Sequence, residues 1–230
     1  MVNEAIVLAG GLGTRLKGTI RDIPKAMAPV KGRPFIEFLL EYLQGSGISK
    51  VIMSTGHLSS VIKEHLGDNF GNINIRYSEE EKPLGTGGAL ALATKLVKGK
   101  SFFVLNGDTL FKISLEEMAR RHHSANADIT IALRMMDDVS RYGNIIVDNN
   151  NRITAFAEKS EKKSAGLINA GIYLINKSLL ESLHLPEVFS TEKDLFPVLP
   201  GKAKVRGYTD NAYFIDIGTP VDYKKAQNEL

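Results

Sequence analysis

The chain has 230 residues, 43% of them hydrophobic, and its 29 Lys and Arg nearly balance 26 Asp and Glu for a formal net charge of +3. This suits one globular domain over residues 1–230, gives no reason to expect nucleic acid or a membrane as partner, and, with no cysteine present, excludes disulfides, thiolate-bound metals and a thiol nucleophile. The opening MVNEAIVLAGG carries an acidic residue and too short an apolar run for a secretory signal or a membrane span, so a cytoplasmic protein is expected.

In chain order, EAIVLA (4–9), KVIMST (50–55), INIRYS (73–78) and SFFVLNGD (101–108) have strand length, and the first and last are apolar enough for burial on both faces. Between them, helical period is expected over 34–43, with Pro34 in the first turn and Gly45 and Gly47 at the stop, over 58–66 and over 88–97. A β-α-β-α order predicts an α/β fold with a mainly parallel sheet and helices on both faces. Ligands of such sheets bind beyond the carboxyl ends of the strands.

The second half is richer in strands: ADITIALRM, GNIIVD, RITAFAEK, LINAGIYLIN and AYFIDIG, with DNNN (148–151) as a hairpin turn. Helices are expected over 115–123, 178–183 and 220–230. The stripe Phe35, Phe38, Leu39, Tyr42, Leu43 reads as core. The five histidines show no ligand spacing with carboxylates, and His122 and His123, beside Arg120 and Arg121, read as a solvated helix end.

The first strand runs directly into LAGGLGTRLKGTIRDIPKAMAPV (8–30). Gly10, Gly11 and Gly13 permit backbone conformations closed to other residues, and successive N–H groups in such a turn form a concavity for phosphate oxygens. Arg15 and Lys25 add positive charge, and Pro24 fixes the chain just before the lysine. A plain strand-to-helix turn with solvated basic residues would carry the same glycines. A Walker loop needs lysine directly after its last glycine, where Thr14 and Arg15 stand here. A dinucleotide fingerprint needs a helix at once, whereas this loop continues as KGTIRDIPK.

Six further landmarks follow in order: PLGTGGAL (83–90), LNGD (105–108), YG (142–143), EK (158–159), NAGIY (169–173) and DIGTP (216–220). With the glycine stretch, the series resembles the sugar-1-phosphate nucleotidylyltransferases, which join a nucleoside triphosphate to a sugar 1-phosphate. The resemblance covers nearly the whole chain. Its departures are PKA where PKP is usual and basic residues between Leu16 and Pro24; neither removes a charge the chemistry needs. The chain ends shortly after DIGTP, so the left-handed β-helix of some relatives, and acetyl transfer on it, are not expected.

The resemblance implies a Rossmann-like α/β/α sandwich with a mainly parallel central sheet and an antiparallel part in the C-terminal half. The reaction it implies is attack by a sugar 1-phosphate oxygen on the α-phosphorus of the nucleotide, expelling pyrophosphate without a covalent enzyme intermediate. Both reactants are polyanions, so the site must offset their repulsion and align them. By resemblance the catalytic residues are Arg15, acting on the departing pyrophosphate, Lys25, at the reacting phosphates, and Asp108. The nucleotide falls to Leu8, Ala9, Gly10, Gly11, Gly13 and Thr14, with Glu80, Pro83, Gly85, Thr86, Asn106 and Gly107. The sugar phosphate falls to Gly143, Glu158, Lys159, Asn169, Ala170 and Gly171.

Asp108 closes an apolar strand and could merely cap a helix beginning near Ser114, while Asp216 sits inside another apolar strand, where a carboxylate is costly without a cation. The resemblance assigns the two to one Mg²⁺, a hard ion that prefers oxygen ligands. Glu158 and Lys159 could equally be a solvated pair at a strand end.

SEEEK (78–82) reads as an acidic turn, or by resemblance as the base-recognition loop. Guanine presents N1–H and N2–H₂ side by side, two donors suited to a carboxylate, whereas uracil and thymine suit a glutamine amide. Five residues before Gly85 stands Glu80, where thymidylyltransferases of the family carry glutamine. Glu80 is therefore expected to read guanine, making GTP the nucleotide, with Glu79 and Glu81 pointing elsewhere. Among guanylyltransferases, LKGTIRDIPKAMAPVKGRPF most resembles the short enzymes acting on D-glycero-α-D-manno-heptose 1-phosphate, with mannose 1-phosphate the runner-up. A non-catalytic regulatory subunit on the same fold would lose charged residues, yet Arg15, Lys25, Asp108, Lys159 and Asp216 are all present. Cytidylyl- and molybdopterin-type transferases lack the later landmarks. A homo-oligomer is left open.

Overall fold

The computed structural model describes residues 2–11, 23–157 and 163–230. EAIVL forms β1 (Glu4–Leu8), buried from Glu4 to Val7 as its apolar run AIV requires and partly open at Leu8. After a tight turn at Lys25–Met27, a short pair, β2 (Pro29–Val30) and β3 (Arg33–Pro34), leads into α1 (Phe35–Gly45). Next come β4 (Lys50–Thr55), α2 (Ser59–Leu66), β5 (Asn69–Phe70) and β6 (Ile73–Glu79). The first half closes with α3 (Gly85–Thr94), β7 (Ser101–Asn106), β8 (Thr109–Phe111) and α4 (Leu115–Ser124). The second half holds β9 (Ile129–Met136), β10 (Asn144–Val147), β11 (Ile153–Ala157), β12 (Gly166–Asn176) and α5 (Lys177–Ser182). It ends with β13 (Val205–Thr209), β14 (Phe214–Asp216) and α6 (Pro220–Glu229).

One sheet of eight strands runs in the order β13-β9-β12-β7-β1-β4-β6-β5. The pairs β13–β9, β7–β1, β1–β4 and β4–β6 are parallel, and β9–β12, β12–β7 and β6–β5 are antiparallel. The fold is thus the expected α/β sandwich, with most of its antiparallel part contributed by the second half. Successive strand residues feed opposite layers: Ala5 and Val7 pack with α1, α2, α4 and α6, while Ile6 packs with α3 and α5. Phe35, Leu39 and Leu43 are buried in the first layer, with Phe38 and Tyr42 at its margin.

The structure corrects several local expectations. Pro34 is extended and precedes α1 instead of opening it. α3 begins at Gly85, three residues before the expected start, because Gly85, Gly87 and Gly88 lie against the backbone and ring of 187–189, where any side chain would collide. GNIIVD and, as far as Ala157, RITAFA form a separate hairpin, β10–β11, outside the main sheet, turned by Asp148, whose carboxylate accepts from the N–H groups of Asn150 and Arg152. AYFIDIG shrinks to the three residues of β14, which pair with β8, a strand hidden in the sequence as the continuation of LNGD.

His122 is not solvated. It is 1% exposed, with Nδ1 at 2.8 Å from Thr130 Oγ1 and Nε2 at 3.1 Å from Asn176 Oδ1, because helical spacing turns it inward while Arg120, Arg121 and His123 face out. Burial lowers its pKa below the ordinary histidine value. The unfolded chain therefore binds this proton more readily than the folded one, and stability should fall as pH drops through about 6.5. In paired thermal melts from pH 8 to pH 5, His122→Gln should lose less of its midpoint than wild type. Equal acid sensitivity would contradict this.

Candidate active site

β1 and β7 end side by side, with Leu8 in register with both Asn106 and Ser54. Beyond these ends opens a cleft of about 1460 Å³. That exceeds the roughly 300–1,000 Å³ of an ordinary small-molecule pocket, leaving room for two ligands. The strand exits approach closely because Gly107 donates its N–H to the Leu8 carbonyl at 2.9 Å, and a Cβ there would lie 2.8 Å from that oxygen.

The β8–β14 pair builds the charged floor of the cleft. Asp216 pairs with Thr109, and the Ile217 N–H donates to the Asp108 carbonyl at 3.0 Å, so two distant aspartates become neighbours. Ser114, not Asp108, caps α4. Lys25 enters from the turn after Pro24. Its ammonium bonds Asp108 Oδ2 and lies 3.9 Å from Asp216 Oδ1. The three side chains are 11%, 30% and 20% exposed, so little solvent screens them. Burial first, and then the Asp108 charge, push the Asp216 carboxyl above the ordinary range, while Lys25 opposes the shift. The Gly218 N–H, 2.5 Å from Asp216 Oδ1, orients this carboxylate.

Two carboxylates sharing one ammonium leave negative charge over. Such an oxygen pair fits a hard divalent cation whose remaining ligands are water or phosphate. No cluster of three or more His, Cys, Asp or Glu side chains among the described residues would cage a metal by itself.

One wall of the cleft comes from an irregularity in β12, whose register against β9 shifts between Asn169 and Tyr173. Gly171, at φ +76°, turns its backbone into the cleft, and a Cβ there would lie 2.9 Å from Asn106 Nδ2. Asn169 is held at both ends, accepting from the Gly171 N–H and donating to the Tyr173 hydroxyl, each at 3.0 Å. Gly143 lines the same side.

On the opposite wall, Glu80 Oε2 accepts from the Leu84 N–H at 2.7 Å, and Glu80 Oε1 faces Gly10, where a Cβ would come within 2.8 Å. Burial raises the Glu80 carboxyl above its ordinary value, partly offset by the Leu84 bond. Glu79 points away, bound to Ser59 Oγ at 2.9 Å and paired with Lys63 at 3.4 Å. Glu81 does not: it lines the cleft with Glu80, because β6 ends at Glu79 and the alternation of strand faces stops there.

All expected site residues that the structure describes line this cleft: Leu8, Ala9, Gly10, Gly11, Lys25, Glu80, Pro83, Gly85, Thr86, Asn106, Gly107, Asp108, Gly143, Asn169, Ala170, Gly171 and Asp216. Gly13, Thr14, Arg15, Glu158 and Lys159 lie outside the described residues. Sequence reasoning passed over Arg141, immediately before the YG landmark, and the STEKD segment. Thr86 donates to Glu192 Oε2 at 2.8 Å and accepts from the Thr191 N–H at 2.9 Å, which brings Ser190, Glu192 and Lys193 onto the cleft wall. The charged cluster after a buried Phe189 was the available signal.

The profile of the Nucleotidyl transferase family matches residues 4–230. The chain belongs to that family. It is 44% identical, over 99% of its length and 98% of the relative's, to a D-glycero-α-D-manno-heptose 1-phosphate guanylyltransferase of Aneurinibacillus thermoaerophilus. A Campylobacter jejuni protein of the same name is 46% identical over 96% of each chain. The crystal structure of HddC from Yersinia pseudotuberculosis complexed with GMP-PN superposes with a TM-score of 0.88 at 35% identity, covering 99% of both chains. Nucleotidyl transferases of this kind generally use a divalent metal, in keeping with the spare negative charge of the aspartate pair.

For a nucleotidyl transferase, this cluster trades stability for charge. Because the folded state holds the Asp216 carboxyl above its unfolded value, its ionisation at neutral pH disfavours folding. Asp216→Asn should therefore abolish activity while its thermal midpoint at pH 7 equals or exceeds that of wild type. A midpoint several degrees lower would contradict the account.

Proposed function

We propose that the chain transfers GMP from GTP to D-glycero-α-D-manno-heptose 1-phosphate, giving GDP-heptose and pyrophosphate for surface polysaccharide synthesis. The carrying observation is the Lys25–Asp108–Asp216 cluster at the carboxyl ends of parallel strands, in a cleft with room for two ligands. End-to-end similarity to two guanylyltransferases named for that sugar supports the choice of substrate. Mannose 1-phosphate is the second reading. A Mycobacterium tuberculosis relative named for it is 35% identical, and the chain spans 64% of that protein's length.

In this reading the sugar phosphate, already an anion, needs alignment and charge neutralisation more than a base. Lys25 neutralises the reacting phosphates and Arg15 the departing pyrophosphate. Backbone N–H groups of Gly10, Gly11, Gly13 and Thr14 wrap the nucleotide phosphates. Lys159 holds the sugar phosphate, Glu158 and Asn169 meet sugar hydroxyls, and Gly143, Ala170 and Gly171 leave room for the ring. Asp108 and Asp216 would hold Mg²⁺, which supplies Lewis acidity and charge neutralisation at phosphoryl oxygens. Glu80 reads guanine: each carboxylate oxygen accepts two hydrogen bonds, so Oε2 can keep the Leu84 N–H and still receive a base donor. A single domain over residues 1–230, working in the cytoplasm where GTP is drawn from, completes the reading.

A pyrophosphate-release assay crossing GTP, UTP and dTTP with heptose, mannose and glucose 1-phosphates should be fastest with GTP and the heptose, and chelation should stop it. Preference for another base or sugar, or activity under chelator, would overturn the corresponding part. Hydrogen bonds to a charged group contribute about 1.5–3 kcal/mol, so Glu80→Gln should lower kcat/KM for GTP about ten- to a hundredfold. UTP should show no comparable loss. Glu79→Gln, altering a side chain tied to Ser59 and Lys63, should leave the GTP-to-UTP preference unchanged.

A further inference from the structure

α6 is joined to three segments that each carry a cleft residue. At its N-terminus, Thr219, three residues beyond Asp216, caps the helix and accepts the Asp222 N–H at 3.3 Å. In return, the Thr219 hydroxyl donates to Asp222 Oδ2 at 2.6 Å. That same oxygen receives Nη2 of Arg141 at 2.7 Å. One and two turns further on, the Tyr223 hydroxyl and Gln227 Nε2 both donate to the Pro29 carbonyl, and Gln227 Oε1 accepts the Lys31 N–H at 2.9 Å. Pro29 and Lys31 lie just past the turn that delivers Lys25. One helix thus ties the Arg141 loop, the Asp216 strand and the Lys25 segment together.

Arg141 lines the cleft beside Tyr142, Gly143 and Asn144, with its guanidinium 5.4 Å from the centre of the Tyr142 ring. Its side chain is 49% exposed, so the anchor at Nη2 leaves donors of the five-donor fork free of the Asp222 carboxylate. Four cationic Lys or Arg side chains line the cleft among the described residues: Lys25, Lys82, Arg141 and Lys193. Lys82 is paired with Glu187. Lys25 lies 3.9 Å from Asp216 Oδ1, and the charge of Asp216 also acts on Arg141. A half-exposed ion pair adds little stability, so stability alone gives no reason to aim this guanidinium at the cleft.

We propose that Arg141 is a phosphate-binding residue for the sugar 1-phosphate, and that α6, through Asp222, is the brace that positions it in register with Lys25 and Asp216. The assignment rests on the reaction proposed above for the same cleft. A planar fork matches two phosphate oxygens at once, which a lysine ammonium cannot do. Gly143, two residues on, lines the wall against which the sugar ring would lie. Asp222 fixes the fork's orientation before the ligand arrives, and Arg141 then binds as part of a rigid wall.

The test measures steady-state constants and, by titration calorimetry, direct binding of heptose and mannose 1-phosphates to wild type, Arg141→Met, Arg141→Lys and Asp222→Asn. Arg141→Met should weaken binding and raise KM of the sugar phosphate about tenfold or more, with KM for GTP and the thermal midpoint little changed. Arg141→Lys should fall between wild type and Met. Asp222→Asn should shift the same constant less, and should add nothing in the double variant with Arg141→Met, as expected for residues acting through one another. Unchanged sugar-phosphate binding in Arg141→Met, or an equal loss for GTP, would overturn the proposal. A wild type that binds these sugar phosphates but turns neither over would overturn the proposed reaction and leave the Arg141 comparison decisive. A wild type that binds neither would overturn both.

Discussion

The ammonium of Lys25 reaches Asp108 and, more distantly, Asp216, in a place where water screens little of their mutual repulsion. Most of the local architecture keeps those three groups together. β8 and β14 exist as a separate two-stranded pair whose register sets the aspartates side by side. The turn after Pro24 delivers the lysine, and the Gly218 N–H steadies the more buried carboxylate. Left to itself, a cluster of two negative charges and one positive charge disfavours folding; surrounded by phosphates and a divalent cation, the same charges become complementary. The geometry is therefore preorganised for ligands that complete the charge balance, a source of transition-state stabilisation that needs no reorganisation during reaction.

Close backbone approach is the second constraint, and glycine supplies it where strands meet the cleft. Gly107 lets the exit of β7 lie against that of β1, and Gly171 lets the irregular stretch of β12 lie against Asn106. Both contacts involve the LNGD segment, one through the Gly107 backbone and one through the Asn106 side chain, while Asp108 follows at its end. The glycines of α3 do something similar at longer range: they admit the 187–189 segment, and Thr86 then holds Thr191 and Glu192. The start of α3 and the 187–193 segment consequently form one connected surface of the cleft.

The two halves of the fold divide the work. The parallel part provides an edge of aligned strand ends, whose exposed loops carry Gly10, Gly11 and Glu80. The antiparallel part supplies the opposite wall and, through α6, a tie back to the segment after Lys25.

Much of this was legible in the chain itself. Apolar runs bounded by glycine marked β1, β4 and β7, and ordered short motifs marked the residues that line the cleft, because strand burial and backbone approach impose local residue requirements. Asp216 was legible as an anomaly, a carboxylate in an apolar run. What the sequence could not decide was partnership. The pairing of β14 with β8, the inward turn of His122, the aim of Glu79 toward Ser59 and Lys63 and the bracing of Arg141 by Asp222 all depend on residues 8 to 107 positions away. Local propensity carries no information about such distant neighbours, and only the packed sheet and its flanking helices select among them.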